Sequence, residues 1–522
     1  MTLKRLLLTT LAAALAFCSS GPAARADDPP SPKPSPAAMQ PIPAVDEAPD
    51  AVTQHTITLD GKVYPYTARA GVITLRDAQG HPTCRMFYTA FTLDGVDSAT
   101  RPVTFFYNGG PGSSTIWLRM GSFGPKRVVV GDGAATPNAP FQLVDNQYTL
   151  LDRTDMVFVD APGTGFSRIV GAGKPAMFYG VDPDVKAFSE FVNRYVSTFD
   201  RWNSPKFLFG ESYGTPRSAM LVNALQTDGV GINGVVLLSS VLNFDLDWFD
   251  NFSAAAIGGG GADWDFVLYL PTEAAIAWYH HKIPGPQTSL PELLTEVEQF
   301  SMNEYLNALA QGSNLSPAVY NDVVAKLHRF TGLSEQFIRT SNLRINYIRF
   351  STELLRDSGQ MVGRYDGRYV DYNLDAINQV PNFDATDAGI DAAFVGAGNY
   401  LMRNFMKYNT SLVYLPVINV FRQWDWKHNG NLPTNTTADL ANALVFNQNL
   451  RVFSANGYFD MATPFFGTVY ELNHLNLPPD IQSHISYGFY ESGHMVYLHP
   501  AALAQFHNDL ENWYAATLQA GR

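Results

Sequence analysis

Cysteine is nearly absent. This chain of 522 residues has two, Cys18 and Cys84, so once the N-terminal segment carrying Cys18 is removed no intramolecular disulfide can form and stability has to come from packing. Long apolar runs are missing as well: the run Leu6 to Phe17 falls short of the roughly 18 residues that cross a bilayer, and no later stretch reaches that length. Positive charge is scarce, with 35 Lys and Arg against 48 Asp and Glu for a formal net charge of −13, and no basic cluster offsets it. That balance argues against a nucleic-acid partner. There is no HExxH, no paired CxxC and no phosphate-binding loop, so neither a metal nor a nucleotide cofactor is implied. Gly229-Val-Gly231-Ile-Asn-Gly234 has dinucleotide-binding spacing, but it follows a helical stretch and leads into a strand, the reverse of what a pyrophosphate site requires.

What is present is apolar and aromatic. Hydrophobic residues make up 46% of the chain, with 34 Phe and 25 Tyr, enough to bury a large core. Residues 1–26 join Lys4 and Arg5 to the run Leu6–Phe17 and end in Ala24-Arg25-Ala26, the pattern of an export signal cleaved near Ala26. An exported chain without disulfides fits a bacterial periplasmic or extracellular product. Phe17 before Cys18 is bulkier than lipoprotein processing sites usually tolerate. Residues 27–50, rich in Pro, Ala and Ser, read as an extended tether.

From His55 to about Leu93, short alternating segments broken at Asp-Gly, Ala-Gly and Gln-Gly predict antiparallel strands and hairpins. The pattern then changes to uninterrupted apolar strands, VTFFYN, DMVFVDAP, KFLFGE and GVVLLSS, separated by helical stretches. Strands of this kind predict a mostly parallel sheet covered on both faces. Helical spacing dominates residues 246–424, after which the strand LRVFSANGYFD restores the earlier pattern. The expected architecture is an α/β core over 51–245 and 425–522 with an inserted, mainly helical cap.

Gly210-Glu211-Ser212-Tyr213-Gly214 ends a strand and opens a helix. Flanking glycines permit the strained turn that exposes a serine hydroxyl, and the helix N-terminus favours developing negative charge; the other reading is a plain glycine-flanked loop. Serine attacks only when a base takes its proton and an acid orients the base. Asp460, ending LRVFSANGYFD, and His494, in YESGHMVYLHP, follow in the order Ser, acid, His. Glu491 is a competing acid on the histidine's own loop. Two N–H donors are also needed for a tetrahedral intermediate. Tyr213 supplies one, and Asn108-Gly109-Gly110-Pro111-Gly112, after an earlier strand, supplies the other through Gly110.

As a set, YNGGPGSS, VFVDAPGTGFS, FGESYG and SGHMV resemble the serine carboxypeptidase family, which has the α/β-hydrolase fold with an inserted cap. The resemblance implies a triad of Ser212, Asp460 and His494, oxyanion donors at Gly110 and Tyr213, and Asn108 and Glu211 as holders of a peptide's terminal carboxylate. Ser122, Arg119 and Met495 are further candidates for that binding site. A buried carboxyl that stays protonated can donate a hydrogen bond to another carboxylate, so acid-favoured hydrolysis of C-terminal residues is expected. The chain departs from the family in four places: Ser122 stands where a second glutamate is common, Ser113 where a cysteine is usual, the acid motif reads NGYFD where Gly-Asp-x-Asp is usual, and HMVYLHP is one residue shorter and lacks a proline after the histidine. An esterase or acyltransferase on the same scaffold is the alternative, and a non-catalytic binding protein the remaining one.

Overall fold

A computed structural model describes residues 48–246, 263–286 and 288–520. The expected signal segment and all but the last three residues of the expected tether lie outside them. Its strands are β1 (Ala51–Leu59), β2 (Lys62–Arg76), β3 (Pro82–Leu93), β4 (Val103–Tyr107), β5 (Lys126–Val128), β6 (Leu143–Asp145), β7 (Asp155–Val159), β8 (Arg168–Ile169), β9 (Lys206–Glu211), β10 (Gly234–Leu238), β11 (Gln360–Val362), β12 (Val370–Tyr372), β13 (Arg451–Gly457) and β14 (Ile485–Tyr490).

The central sheet runs β1-β2-β3-β7-β4-β9-β10-β13-β14, with β8 pairing on β3. The first three strands and the β3–β7 pair are antiparallel; from β7 to β14 every pair is parallel. After β4 the chain first adds β7 on one side and then returns to add β9 on the other. Such a reversal of strand order leaves a crevice beyond the carboxyl ends of the strands. Antiparallel leading strands, this strand order and a parallel remainder covered on both faces fit the α/β-hydrolase fold expected above.

The continuous apolar strands are explained by alternation between two cores. Phe105, Leu208, Val235 and Leu237 point into one, while Phe106, Phe158, Phe209 and Val236 point into the other. Phe106 stacks on Phe158 and on Phe209, each at 4.7 Å between ring centres, tying β7, β4 and β9 together across one face. The first core also takes up the helices Val181–Thr198 and Gly214–Thr227 and part of the 263–355 region.

Two local expectations need correction. Ala70-Gly71 does not end a strand but lies inside the 15-residue β2. Gly71 is small because the chain passes close by: a Cβ there would lie 2.4 Å from the Asp50 carboxylate. β14, ISYGFY, was not expected as a strand; it sits at the sheet edge with only half its residues buried, so it lacks the uninterrupted apolar signature of its neighbours. Between β10 and β13 the described residues are largely helical, from Trp264–Tyr279 to Ala385–Tyr400, with one small antiparallel pair, β11 and β12. Among the described residues no helix is long and apolar enough to cross a membrane.

Candidate active site

Strand β9 is buried throughout and delivers the chain into a turn at Ser212, whose φ of 60° lies in the left-handed region disfavoured for a side-chain-bearing residue. The helix Gly214–Thr227 begins two residues later. Both flanking glycines are required by contact. A Cβ at Gly210 would lie 2.0 Å from the Gly214 carbonyl oxygen, and one at Gly214 would lie 2.8 Å from the Tyr107 carbonyl oxygen. The Ser212 N–H donates to Leu238 O at 3.0 Å, and Thr215 Oγ1 donates to Ser212 O at 2.7 Å, so the turn is pinned from both sides.

Asp460 and His494 follow β13 and β14, and the structure brings them together. Asp460 is fully buried. Its Oδ1 accepts from Ala462 N and Thr463 N at 2.7 and 3.0 Å, and its Oδ2 accepts from Thr463 Oγ1 at 2.7 Å. The same Oδ2 lies 2.8 Å from His494 Nδ1. A carboxylate can only accept, so the proton sits on Nδ1 and Nε2 is the basic nitrogen. Burial alone would lower the His494 pKa, but the Asp460 charge and hydrogen bond outweigh it and the net shift is upward. The His494 carbonyl accepts from Ser239 Oγ at 2.6 Å, one residue past the Leu238 carbonyl that holds the Ser212 N–H. Adjacent residues at the end of β10 therefore anchor both the serine turn and the histidine loop.

The loop after β4 lies beside the turn because Tyr107 pairs with Gly210 across β4 and β9. A Cβ at Gly109 would lie 2.3 Å from Tyr213 N, so only glycine leaves the space in front of that N–H open. Gly110 next to it is exposed and has φ 106°, a conformation suited to glycine. The Tyr213 side chain is buried, its hydroxyl accepting from Trp424 Nε1 at 3.2 Å.

Glu211 is buried, and burial pushes its carboxyl up to about 7. His494 nearby and hydrogen bonds from Tyr497 and Asn108 pull the other way. Tyr497 donates to Glu211 Oε2 at 2.9 Å. Asn108 is held in place by its Oδ1, which accepts from Leu118 N at 3.0 Å, and by its carbonyl, which accepts from Arg217 Nη1 at 2.8 Å. Arg217 is in turn paired with buried Asp184 at 2.6 Å.

Three further candidates are placed differently. Ser122 is fully buried and its Oγ donates to Leu118 O at 2.6 Å within its own helix end, so its hydroxyl is not directed at Glu211. Arg119 is also buried; its Nη2 donates to Tyr414 OH at 2.6 Å and its Nη1 lies 3.8 Å from Asp160, a buried charge network beneath the loop rather than a contact with Glu211. Met495 is packed in the second core next to the histidine.

Two residues that sequence reasoning passed over complete the site. Tyr497 stands three positions after His494, and only its contact with Glu211 marks it out. Tyr365, from the region between β10 and β13, packs its ring 5.2 Å from that of His494, and its backbone carbonyl accepts from the His494 backbone N–H at 2.6 Å. Gly493 makes room for it: a Cβ there would lie 2.4 Å from Tyr365 O. Away from this site, Asp152, His507 and Glu511 have metal-ligating spacing, but Arg153 already pairs with Glu511 at 2.8 Å and lies 3.2 Å from Asp152.

Comparison with known proteins matches residues 62–236, which hold the loop after β4 and the serine turn, to the family described as serine carboxypeptidase. This segment of the chain is similar to the serine carboxypeptidase family. Among curated relatives of the family, a carboxypeptidase Y homolog of Arthroderma benhamiae is 35% identical over 24% of this chain and 23% of its own length. A pheromone-processing carboxypeptidase of Saccharomyces cerevisiae is 30% identical over 30% of this chain and 22% of its own. Serine carboxypeptidase-like 45 of Arabidopsis thaliana is 25% identical over 34% and 37%. The chain thus spans well under half the length of the serine carboxypeptidases it matches. A solved lipase structure in open form aligns over 87% of this chain and all of its own at 13% identity, with a TM-score of 0.35.

Proposed function

We propose that the protein is a serine-type carboxypeptidase that removes C-terminal residues from peptides through an acyl-enzyme. The observation that supports this reading is a buried His494–Asp460 pair on a loop anchored at Ser239, next to the Leu238 carbonyl that holds the left-handed Ser212 turn, with a buried carboxyl preceding that serine. In this reading Ser212 Oγ attacks the last peptide carbonyl while His494 Nε2 takes its proton, and Asp460 holds the imidazole and stabilises the imidazolium. The tetrahedral oxyanion is met by the N–H groups of Tyr213 and Gly110. His494 returns the proton to the departing amino group, and water, activated by the same nitrogen, releases the acyl product.

Glu211, protonated, donates a hydrogen bond to the substrate's terminal carboxylate, with Asn108 beside it. Ionisation of Glu211 puts two like charges together, so binding of a free-acid peptide weakens as pH rises through about 7. Loss of the basic form of His494 limits the acid side. Because the two groups feel each other, the two limbs belong to the pair.

We assign 51–245 and 425–522 to the catalytic core and 246–424 to a cap that shapes the substrate pocket, with Tyr365 as its contact to His494. Residues 1–26 are proposed as an export signal, which N-terminal sequencing of the mature protein would test: a start at Met1 would overturn it. Ser122, turned onto its own helix, favours esterase or acyltransferase chemistry as a second reading. Turnover of a blocked dipeptide, its C-terminal amide and an aryl ester, from acid to mildly alkaline pH, separates the two. A free acid cleaved at least tenfold better than the amide, with the advantage lost above about pH 7, supports the carboxypeptidase; equal cleavage would sink it.

A further inference from the structure

We propose that Tyr497 is a positioning residue that fixes the orientation of Glu211, and the oxygen on which it carries its proton, for recognition of a substrate's terminal carboxylate. The inference rests on the carboxypeptidase reading above and adds to it a residue that neither the family match nor the sequence motifs single out.

Tyr497, Glu211 and Asn108 form one buried polar cluster: Tyr497 OH donates to Glu211 Oε2 at 2.9 Å, and the Asn108 side chain lies close enough to lower the pKa of both of the others. With its Oδ1 taken by the Leu118 N–H, Asn108 presents its amide hydrogens to them. A phenol hydroxyl has one hydrogen to donate. While that hydrogen points at Oε2, Oε2 acts as the accepting oxygen, and the acid proton of Glu211 belongs on Oε1. Fixing the proton's position turns a carboxyl that would otherwise donate from either oxygen into a directed donor.

The neighbouring helix end is shaped around this ring. A Cβ at Gly121 would lie 2.5 Å from the Tyr497 ring carbons, so glycine is needed for the ring to reach Glu211. Ser122, where the family commonly has a second acid, bonds Leu118 O instead. Burial pushes the Tyr497 phenol well above its ordinary range, so it stays neutral wherever the enzyme works. The charges that Glu211 feels are then those of His494 and Asp460, from the loops after β14 and β13. One ionisation, that of Glu211, switches the clamp.

The test compares wild type, Tyr497→Phe, Glu211→Gln and the double variant on a peptide with a free C-terminal carboxylate and on its C-terminal methyl ester, across pH. Tyr497→Phe is expected to raise KM for the free acid about tenfold, and to raise it several-fold more than KM for the ester. Loss of a donor to the carboxylate should also move the alkaline limb of kcat/KM for the free acid upward by about half a pH unit. In the Glu211→Gln background the same change should alter KM by less than about twofold. A merely structural role would change both substrates alike and leave the limb in place; that result, or an undiminished tenfold effect without Glu211, overturns the proposal. Gly121→Ala, which drives a methyl into the ring, should reproduce the selective KM rise with the hydroxyl still present, and keeps the test decisive if Tyr497→Phe is poorly folded. A wild type indifferent to the free carboxylate would overturn the carboxypeptidase reading itself. A wild type that prefers the free acid beside an unaltered Tyr497→Phe would overturn only the role of Tyr497.

Discussion

His494 and His428 each hold an aspartate through Nδ1 at almost the same distance, 2.8 Å to Asp460 and 2.7 Å to Asp182. They differ at the other nitrogen. His428 Nε2 is held 2.9 Å from Asp439, so both nitrogens face carboxylates, and those bonds, Asp439 first, raise its pKa to about 9. Below about pH 9 that ring is an imidazolium with no lone pair to offer. His494, deeper and with a single carboxylate partner, has no hydrogen bond at Nε2 among the described residues, as the proposed proton transfer requires. Pairing with an acid does not make a histidine a base, because one accepting partner activates the ring and two disable it. His428 instead fastens the segment carrying Trp424 and Trp426, whose rings pack on Tyr213 at 5.4 and 6.0 Å.

The contrast is tested most severely at the two rings. His494→Gln and Ser212→Ala should each lower kcat by about 10⁴-fold or more, whereas His428→Gln should leave kcat within about fivefold of wild type in the same ester assay. Comparable losses at both histidines would erase the distinction. Asp460→Asn comes next, at about 10²–10⁴-fold in kcat with the fold intact by circular dichroism, because an amide no longer enforces the Nδ1–H tautomer. Gly109→Ala, which puts a methyl against the Tyr213 N–H, should cost about 10²-fold in kcat and little in KM if that N–H meets the oxyanion.

The smallest effect is on stability. A histidine whose folded pKa is raised from about 6.5 to about 9 adds stability that is fully present below the lower value and is lost as pH rises through the higher one. His428→Gln should therefore cost about 1 kcal/mol in urea unfolding at pH 6, reduced from a buried pair's worth by solvent at Asp182, and almost nothing at pH 10. A gap independent of pH would mean that the ring acts by packing alone.

Much of this was legible in the residues, for identifiable reasons. Uninterrupted apolar strands announced a sheet buried on both faces, because each strand feeds two cores. The glycines around Ser212 announced the turn, because only glycine tolerates the contacts at 210 and 214. The edge strand β14 and the mid-strand Gly71 were hidden, since an edge needs less apolar surface and a glycine chosen for close approach looks like one chosen for a turn. Ser122 and Arg119 were placed near the carboxylate site by the resemblance to the family, but a matching position along the chain does not say where a side chain points: the first bonds its own helix and the second meets Asp160.

By itself the sequence determined the parallel sheet, the serine turn, the glycine loop and the order of the acid and the histidine, all of which follow from local conformational limits and from the period of burial. Tertiary structure alone decided which groups share a proton. That Asp460 meets Nδ1, that Tyr497 meets Glu211, and that His428 is bound at both nitrogens depend on residues 34, 286, 246 and 11 positions apart being brought within 3 Å. Hydrogen bonds act over that distance, and no pattern along the chain encodes it.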